Sequence, residues 1–214
     1  MTQALLDQID QISRVAVDVN ARVAGGAARF LYAYLHDGLT LPASDTPGDI
    51  DVWLLEPAES TGERLQYLYS RLRGLGYTKP LSEAGSTKSK VVFTAPPESG
   101  GVDVQIIGVP DPDMTAPGTQ WRTSRELVES FTLSAEQFYV TLDGRAEGTA
   151  SAVMDLERGQ ITAMHYHNPV RTLVRLLKYS RKGYRIPVSE MRKVLDAYAA
   201  LSDVDRERMI SREY

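Results

Sequence analysis

The chain has 214 residues, 43% of them hydrophobic and 24% charged, a composition that suits one globular domain or two small lobes with a proper core. The absence of cysteine excludes disulfides, thiolate metal sites and cysteine nucleophiles. No run of about 18 apolar residues announces a membrane span. The N-terminus, with Asp7, Asp10 and Asp18 and no basic start before an apolar block, does not read as a secretion signal, so a cytoplasmic protein is expected. Net charge is −4, which argues against a general nucleic-acid coat. It is divided unevenly: residues 158–214 hold 12 Lys+Arg against 6 Asp+Glu, and residues 1–157 hold 12 against 22. A metal-binding lobe facing a phosphate-binding lobe would give this asymmetry, and so would ordinary surface variation.

In chain order, Leu5, Ile9, Ile12, Ala16 and Val19 recur at helical spacing and predict a helix over 4–19. A short piece, 22–24, leads into Gly25-Gly26, and a helix comes next over 27–35, ending near Asp37-Gly38. Residues 41–48, with Pro42, Ser44, Asp45, Pro47 and Gly48, read as a loop. DIDVWLL, 49–55, is the clearest strand, and its continuous apolar rear half should be buried. Ser60 and Thr61 cap a helix carrying Leu65, Leu68, Leu72 and Leu75, which ends at Gly74 or Gly76. Strands are expected at 90–95 and 102–109, split by a turn at 96–101. A Pro-rich loop covers 111–118 and a helix 124–130. Residues 138–142 and 150–156 look extended, with Asp143-Gly144 as the turn between them. Pro169 opens a helix that runs to about 181, with Leu173, Leu176 and Leu177 on its apolar face, and stops at Gly183. Helices over 189–201 and 203–212 complete the chain. The non-alternating order predicts an α+β fold: a mixed sheet flanked by helices over 1–160 and a helical C-terminal segment over 161–214.

The chemistry concentrates on carboxylates. Asp49 and Asp51 are one residue apart on a predicted strand, so both side chains point to one face, about 7 Å apart along the backbone. Two carboxylates so close repel each other unless a cation neutralises them. Hard divalent cations take oxygen ligands, typically one or two carboxylates plus substrate phosphates. Asp103, between Val102 and Val104 on another predicted strand, completes a three-carboxylate site if the two strands are neighbours. An isolated Asp-x-Asp is more often a strand entrance with a solvated second acid, but the flanking Ile50, Val52, Trp53 and Leu54 bury this one, where an unpaired Asp is costly. Upstream, Gly25-Gly26 opens a helix, where small residues and free amides suit a phosphate.

The combination resembles the polymerase-β-type nucleotidyltransferase superfamily. Gly25 to Arg29 (GGAAR) with DIDVWL downstream is similar to the head of tRNA CCA-adding enzymes and bacterial poly(A) polymerases. The stretch 168–187, NPVRTLVRLLKYSRKGYRIP, resembles the segment just after the catalytic sheet in those enzymes. The resemblance covers roughly residues 20–187 in outline and three short motifs in detail. It implies transfer of a nucleoside monophosphate from an NTP to an acceptor hydroxyl with release of pyrophosphate. It further implies magnesium or manganese on Asp49, Asp51 and Asp103. Asp103 would also activate the acceptor hydroxyl. NTP contacts would come from Gly25, Gly26, Arg29, Arg171, Arg175 and Lys178. An RNA 3′ end, tRNA included, is the favoured acceptor, and no membrane partner is implied. The alternatives are a protein or small-molecule acceptor, an inactive nucleotide-binding module and a metal-dependent phosphohydrolase.

The chain also departs from the family pattern. The 22 residues between Gly26 and Asp49 make a longer connection, with 39–48 as the extra loop, and Phe30 stands where the tRNA enzymes commonly carry an acid. Only 27 residues lie beyond Pro187, too few for the parts that grip tRNA in CCA-adding enzymes. Outside the motifs, His165 and His167 flank Tyr166 without a Cys or carboxylate to complete a zinc set, and structural roles are expected of them. Ser86-Thr87-Lys88 reads as a turn, and Trp53 and Trp121 as core.

Overall fold

The computed structural model describes residues 2–56, 61–78, 90–97, 100–108 and 121–211. Helix α1 (Thr2–Val17) buries Leu5, Leu6, Ile9, Ile12, Val15 and Ala16, the one apolar stripe its spacing predicts. It turns through Asn20, at φ 50°, into strand β1 (Ala21–Ala24). Helix α2 (Gly26–Leu35) leaves the end of β1, and a long connection leads to β2 (Asp49–Leu54). Helix α3 (Thr61–Gly74), β3 (Lys90–Phe93) and β4 (Asp103–Ile107) come next. The predicted Ser60 cap, the 111–118 loop and Ser86-Thr87-Lys88 lie outside the described residues. Helix α4 (Ser124–Glu129) starts on a capping box, with Thr123 accepting from the Glu126 amide and Glu126 reaching back to the Thr123 amide.

The next hairpin corrects the sequence reading. Strands β5 (Phe138–Val140) and β6 (Ala146–Gly148) pair across the Asp143-Gly144 turn, with Phe138 opposite Gly148. Residues 150–156, expected to be extended, form helix α5 (Ala150–Glu157). A short apolar run does not separate strand from helix by periodicity. Here the Thr149 hydroxyl accepts from the Ala152 amide and starts a helix, and its turns bury Ala152 and Leu156. The C-terminal part is helical as expected: α6 (Pro169–Arg181), α7 (Val188–Ala199) and α8 (Asp203–Ser211).

The strands form one mixed sheet in the order β3-β4-β2-β1-β5-β6. β2 lies at its centre, parallel to β4 and antiparallel to β1. The main core, with Ile9, Ile50, Phe93, Ile106, Phe138 and Leu133, extends without a break to Leu176, Tyr179, Tyr184 and Val194 of the C-terminal part. A smaller cluster gathers Trp53, Trp121, Leu127 and Phe131, where Trp53 meets Trp121 edge-on at 5.4 Å. Trp121 donates its indole N–H to Ser130 Oγ at 2.9 Å, so both tryptophans are core residues, as expected. Among the described residues no helix is long and apolar enough to cross a membrane.

Gly148 is fixed by its neighbour. A Cβ there would meet the fully buried Phe138 ring at 2.6 Å. Gly148→Ala is expected to destabilise the protein by about 1–3 kcal/mol through overpacking, seen as a lower denaturant midpoint in urea. An unchanged midpoint would mean that the ring moves freely.

The connection between α2 and β2, residues 36–48, is long, and it is held from inside. Asp45 is buried and accepts from Arg29, Lys182 and Tyr184. Ser44 Oγ donates to the Lys182 carbonyl at 2.8 Å, and Pro42 packs against Gly183, which takes φ +99°. This loop is thereby fastened to the C-terminal end of α6.

Candidate active site

The N-terminal end of β2 faces the start of α2. Ala24 pairs with Asp51 across the antiparallel ladder, so Gly25 arrives directly beside that carboxylate. A Cβ on Gly25 would lie 3.8 Å from Asp51 Oδ2. Gly25 also takes φ 84° and ψ −139°, backbone that essentially only glycine adopts, and its amide is tied to the Phe138 carbonyl at 2.8 Å. The next amides, of Gly26, Ala27 and Ala28, open α2 without a carbonyl in a preceding turn and carry the positive end of its dipole. A cleft lined by Gly25, Gly26, Asp49, Asp51, Arg175 and Lys178 lies between this corner and α6.

The alternation of β2, with Asp49 and Asp51 partly open and Ile50 and Val52 buried, turns both carboxylates to the cleft. Asp49 accepts from Gln105 Nε2 at 2.5 Å. Burial and then the charge of Asp49 push the Asp51 carboxyl up to about 7, with Glu136 adding to the rise and Lys90 and Arg175 opposing it. An acid pair that holds a proton this tightly is short of a cation. Its all-oxygen donor set fits a hard divalent one. Among the described residues no three acidic, histidine or cysteine side chains gather to hold a metal, so such an ion would take its other ligands from phosphate and water, as magnesium commonly does.

Asp103 does not join the pair, contrary to the sequence expectation. β2 and β4 are neighbours, as required, and the parallel register even sets Asp103 beside Asp49 on the same face of the sheet, with Gln105 beside Asp51; yet Asp103 does not line the cleft. The Asp103 carboxylate instead accepts from the Ala95 amide at 2.9 Å. The acid that does face Asp51 is Glu136, delivered by the short 3-10 turn Ser134–Glu136 before β5. Glu136 is buried, pairs with Arg175 at 2.5 Å and accepts from Tyr179, while its second oxygen is buried without a partner.

The predicted cations separate into three kinds. Arg175 and Lys178 line the cleft. Arg171 does not appear in its wall: it sits one turn nearer the start of α6, where its amide is held by the Asn168 cap, and the cleft runs along the other half of the helix. Arg29 reaches the cleft wall but is buried, and its guanidinium is committed. Its donors go to both Asp45 oxygens, the Ala135 carbonyl and Tyr179 Oη, which uses all five N–H groups. Arg29 is a girder for the 36–48 loop, where the sequence reading made it an NTP contact. Lys182, which that reading left out, lines the cleft two turns beyond Arg175. The spacing 175–178–182 would have pointed to it. His165 and His36 bond the carbonyls of Glu129 and Tyr32, in keeping with structural roles.

No family model and no curated protein matches the sequence. Solved structures do match by fold. A tRNA-processing enzyme in its apo form is similar at 13% identity and TM-score 0.57, covering 96% of this chain and 51% of its own. A CCA-adding enzyme with ATP is similar at 16% identity and TM-score 0.57, covering 97% and 47%. The Thermotoga maritima CCA-adding enzyme complexed with tRNA is similar at 15% identity and TM-score 0.55, covering 90% and 42%. The chain thus spans about half the length of the structures it matches. The chain shares its fold with one portion of these CCA-adding and tRNA-processing enzymes.

Proposed function

We propose that the protein transfers a nucleoside monophosphate from an NTP to an acceptor hydroxyl, with an RNA end as acceptor and pyrophosphate as the leaving group. The observation that carries this is the juxtaposition of Asp49 and Asp51 with the Gly25-Gly26 start of α2 in one cleft, closed by the basic side of α6. A divalent cation on the acid pair, magnesium or manganese, would supply charge neutralisation at the transferring phosphate. The chain's own part is placement. The amides that open α2 receive phosphate oxygens, Gln105 holds Asp49 in position, and Arg175, steadied by Glu136, faces the phosphate nearest Asp51. Gly25 leaves room for a phosphate beside Asp51. RNA as acceptor is supported by the basic character of residues 158–214 and by a similar structure being a complex with tRNA.

The test is incubation with α-labelled NTPs and total RNA, with Asp49→Asn as control. Label is expected on RNA with the wild type alone, and EDTA should abolish it. Label on protein or a small molecule would change the acceptor. Nucleotide binding without pyrophosphate release, across acceptors, would remove the activity.

A further inference from the structure

The loop that lengthens the α2–β2 connection builds a charge imbalance into the cleft wall. Asp45, with no exposed side-chain surface, receives two cations: Arg29 at 2.8 Å and Lys182 at 2.9 Å. One buried carboxylate balances one of them, and Tyr184, at 2.5 Å, adds only a neutral hydrogen bond. The cluster therefore keeps a net positive charge where the dielectric is low and charge is costly to leave uncompensated. Lys182 is its only member with a partly exposed side chain, 22%, and it lines the cleft. An ammonium has three donors, and one goes to Asp45. The ammonium of Lys178, one turn away on the same side of the helix, has no hydrogen-bond or ion-pair partner among the described residues.

The position of this charge matters as much as its sign. Arg175 acts on Asp51 and is bound to Glu136, so it marks the acid-pair end of the cleft. Lys182 lies seven residues on, about 10 Å along the helix axis. The cleft is thus polarised, with carboxylates at one end and a fixed, unbalanced cation at the other.

We infer that Lys182, held in place by Asp45, forms a subsite for the terminal phosphate of a bound nucleoside triphosphate and makes the protein select triphosphates over diphosphates. This rests on the nucleotide-transfer reading and deepens it. Asp45 acts as a positioning residue: it touches no nucleotide, and it holds the ammonium in one geometry so that little side-chain freedom is lost when the phosphate binds.

The experiment compares ATP and ADP binding by calorimetry for the wild type, Lys182→Met and Asp45→Asn, with folding followed by circular dichroism. The wild type should bind ATP at least about tenfold more tightly than ADP, since the added phosphate meets a charge-assisted contact. Lys182→Met should lower ATP affinity about tenfold and leave ADP within about twofold, so that the preference collapses. Asp45→Asn should lose the same preference. The Lys182 side chain is partly exposed, so Lys182→Met decides the matter alone if Asp45→Asn does not fold. An ATP-to-ADP ratio unchanged in Lys182→Met, or an equal loss for both nucleotides, overturns the subsite. Labelled transfer by the wild type with an unchanged ratio would reject only this inference. Failure of the wild type to bind either nucleotide would reject it together with the reading it rests on.

Discussion

Asp51→Asn is expected to make the metal-free protein more stable while removing its activity. Burial and the neighbouring Asp49 charge hold the Asp51 carboxyl at about 7 in the folded chain, against 3.8 for an ordinary aspartate. A carboxyl with a raised folded value binds its proton more tightly folded than unfolded. Its contribution to stability is therefore complete below pH about 3.8 and is lost as the pH rises through about 7. Above that, the fold carries two close negative charges. Asparagine keeps the shape and removes one charge. Each pKa unit corresponds to about 1.4 kcal/mol, and allowing for relaxation of the pair, a gain on the order of 2–4 kcal/mol is expected. For a chain of this size that is a Tm rise of about 5–10 °C at pH 8, shrinking to nothing near pH 4. Added magnesium should raise the wild-type Tm and leave the variant's unchanged. Label transfer should fall by more than about 100-fold, since even the groups that merely orient metal ligands are worth 10–100-fold. A variant less stable than the wild type at pH 8 would show that Asp51 is satisfied within the protein and is no ligand in waiting.

Arg29→Met should do the opposite. The guanidinium is bound on every donor, and its main partner, Asp45, is sealed from water. Removing one member of a buried pair leaves the other short of compensation, at a cost on the order of 3–5 kcal/mol. That is a Tm loss of about 10 °C at neutral pH. Lys182 and Tyr184 would soften the loss without replacing a two-pronged contact. Burial pushes the Asp45 carboxyl up, but Arg29, with the bonds from Tyr184 and Lys182, outweighs it and holds the carboxyl below its usual range. A lowered folded value gives stability that is present above the unfolded value and lost as the pH falls through the folded one. The gap between wild type and variant should therefore close in acid. Arg29→Met with Asp45→Asn should recover part of the loss in a double-mutant cycle. If the single variant melts with the wild type at pH 7, the loop is held by other contacts.

Strand β2, helices α2 and α6 and the Asp49–Asp51 face could be read without coordinates, because each is set by local rules. Alternation places two acids on one side, paired glycines open a helix, and Pro169 starts one. The strand assigned to 150–156 failed on the same kind of information, since a short stretch of mixed apolar pattern leaves the choice to the Thr149 cap. Asp103 was assigned from strand membership. The register does set it beside Asp49, but its carboxylate accepts from the Ala95 amide across the neighbouring strand, a partner that no local pattern encodes. Glu136 carried no signal at all. A three-residue turn brings it to Asp51 from beyond the β1 side of the sheet, the opposite side from β4. Arg29 and Lys182 show the same division. The sequence determined that they are cations near the glycine pair and at the end of α6, because charge and helical spacing are local properties. Only the tertiary structure decided that Arg29 is buried as a support and Lys182 left at the cleft. That depends on Asp45, a loop residue whose partners lie 16 and 137 positions away and meet it only when the core closes.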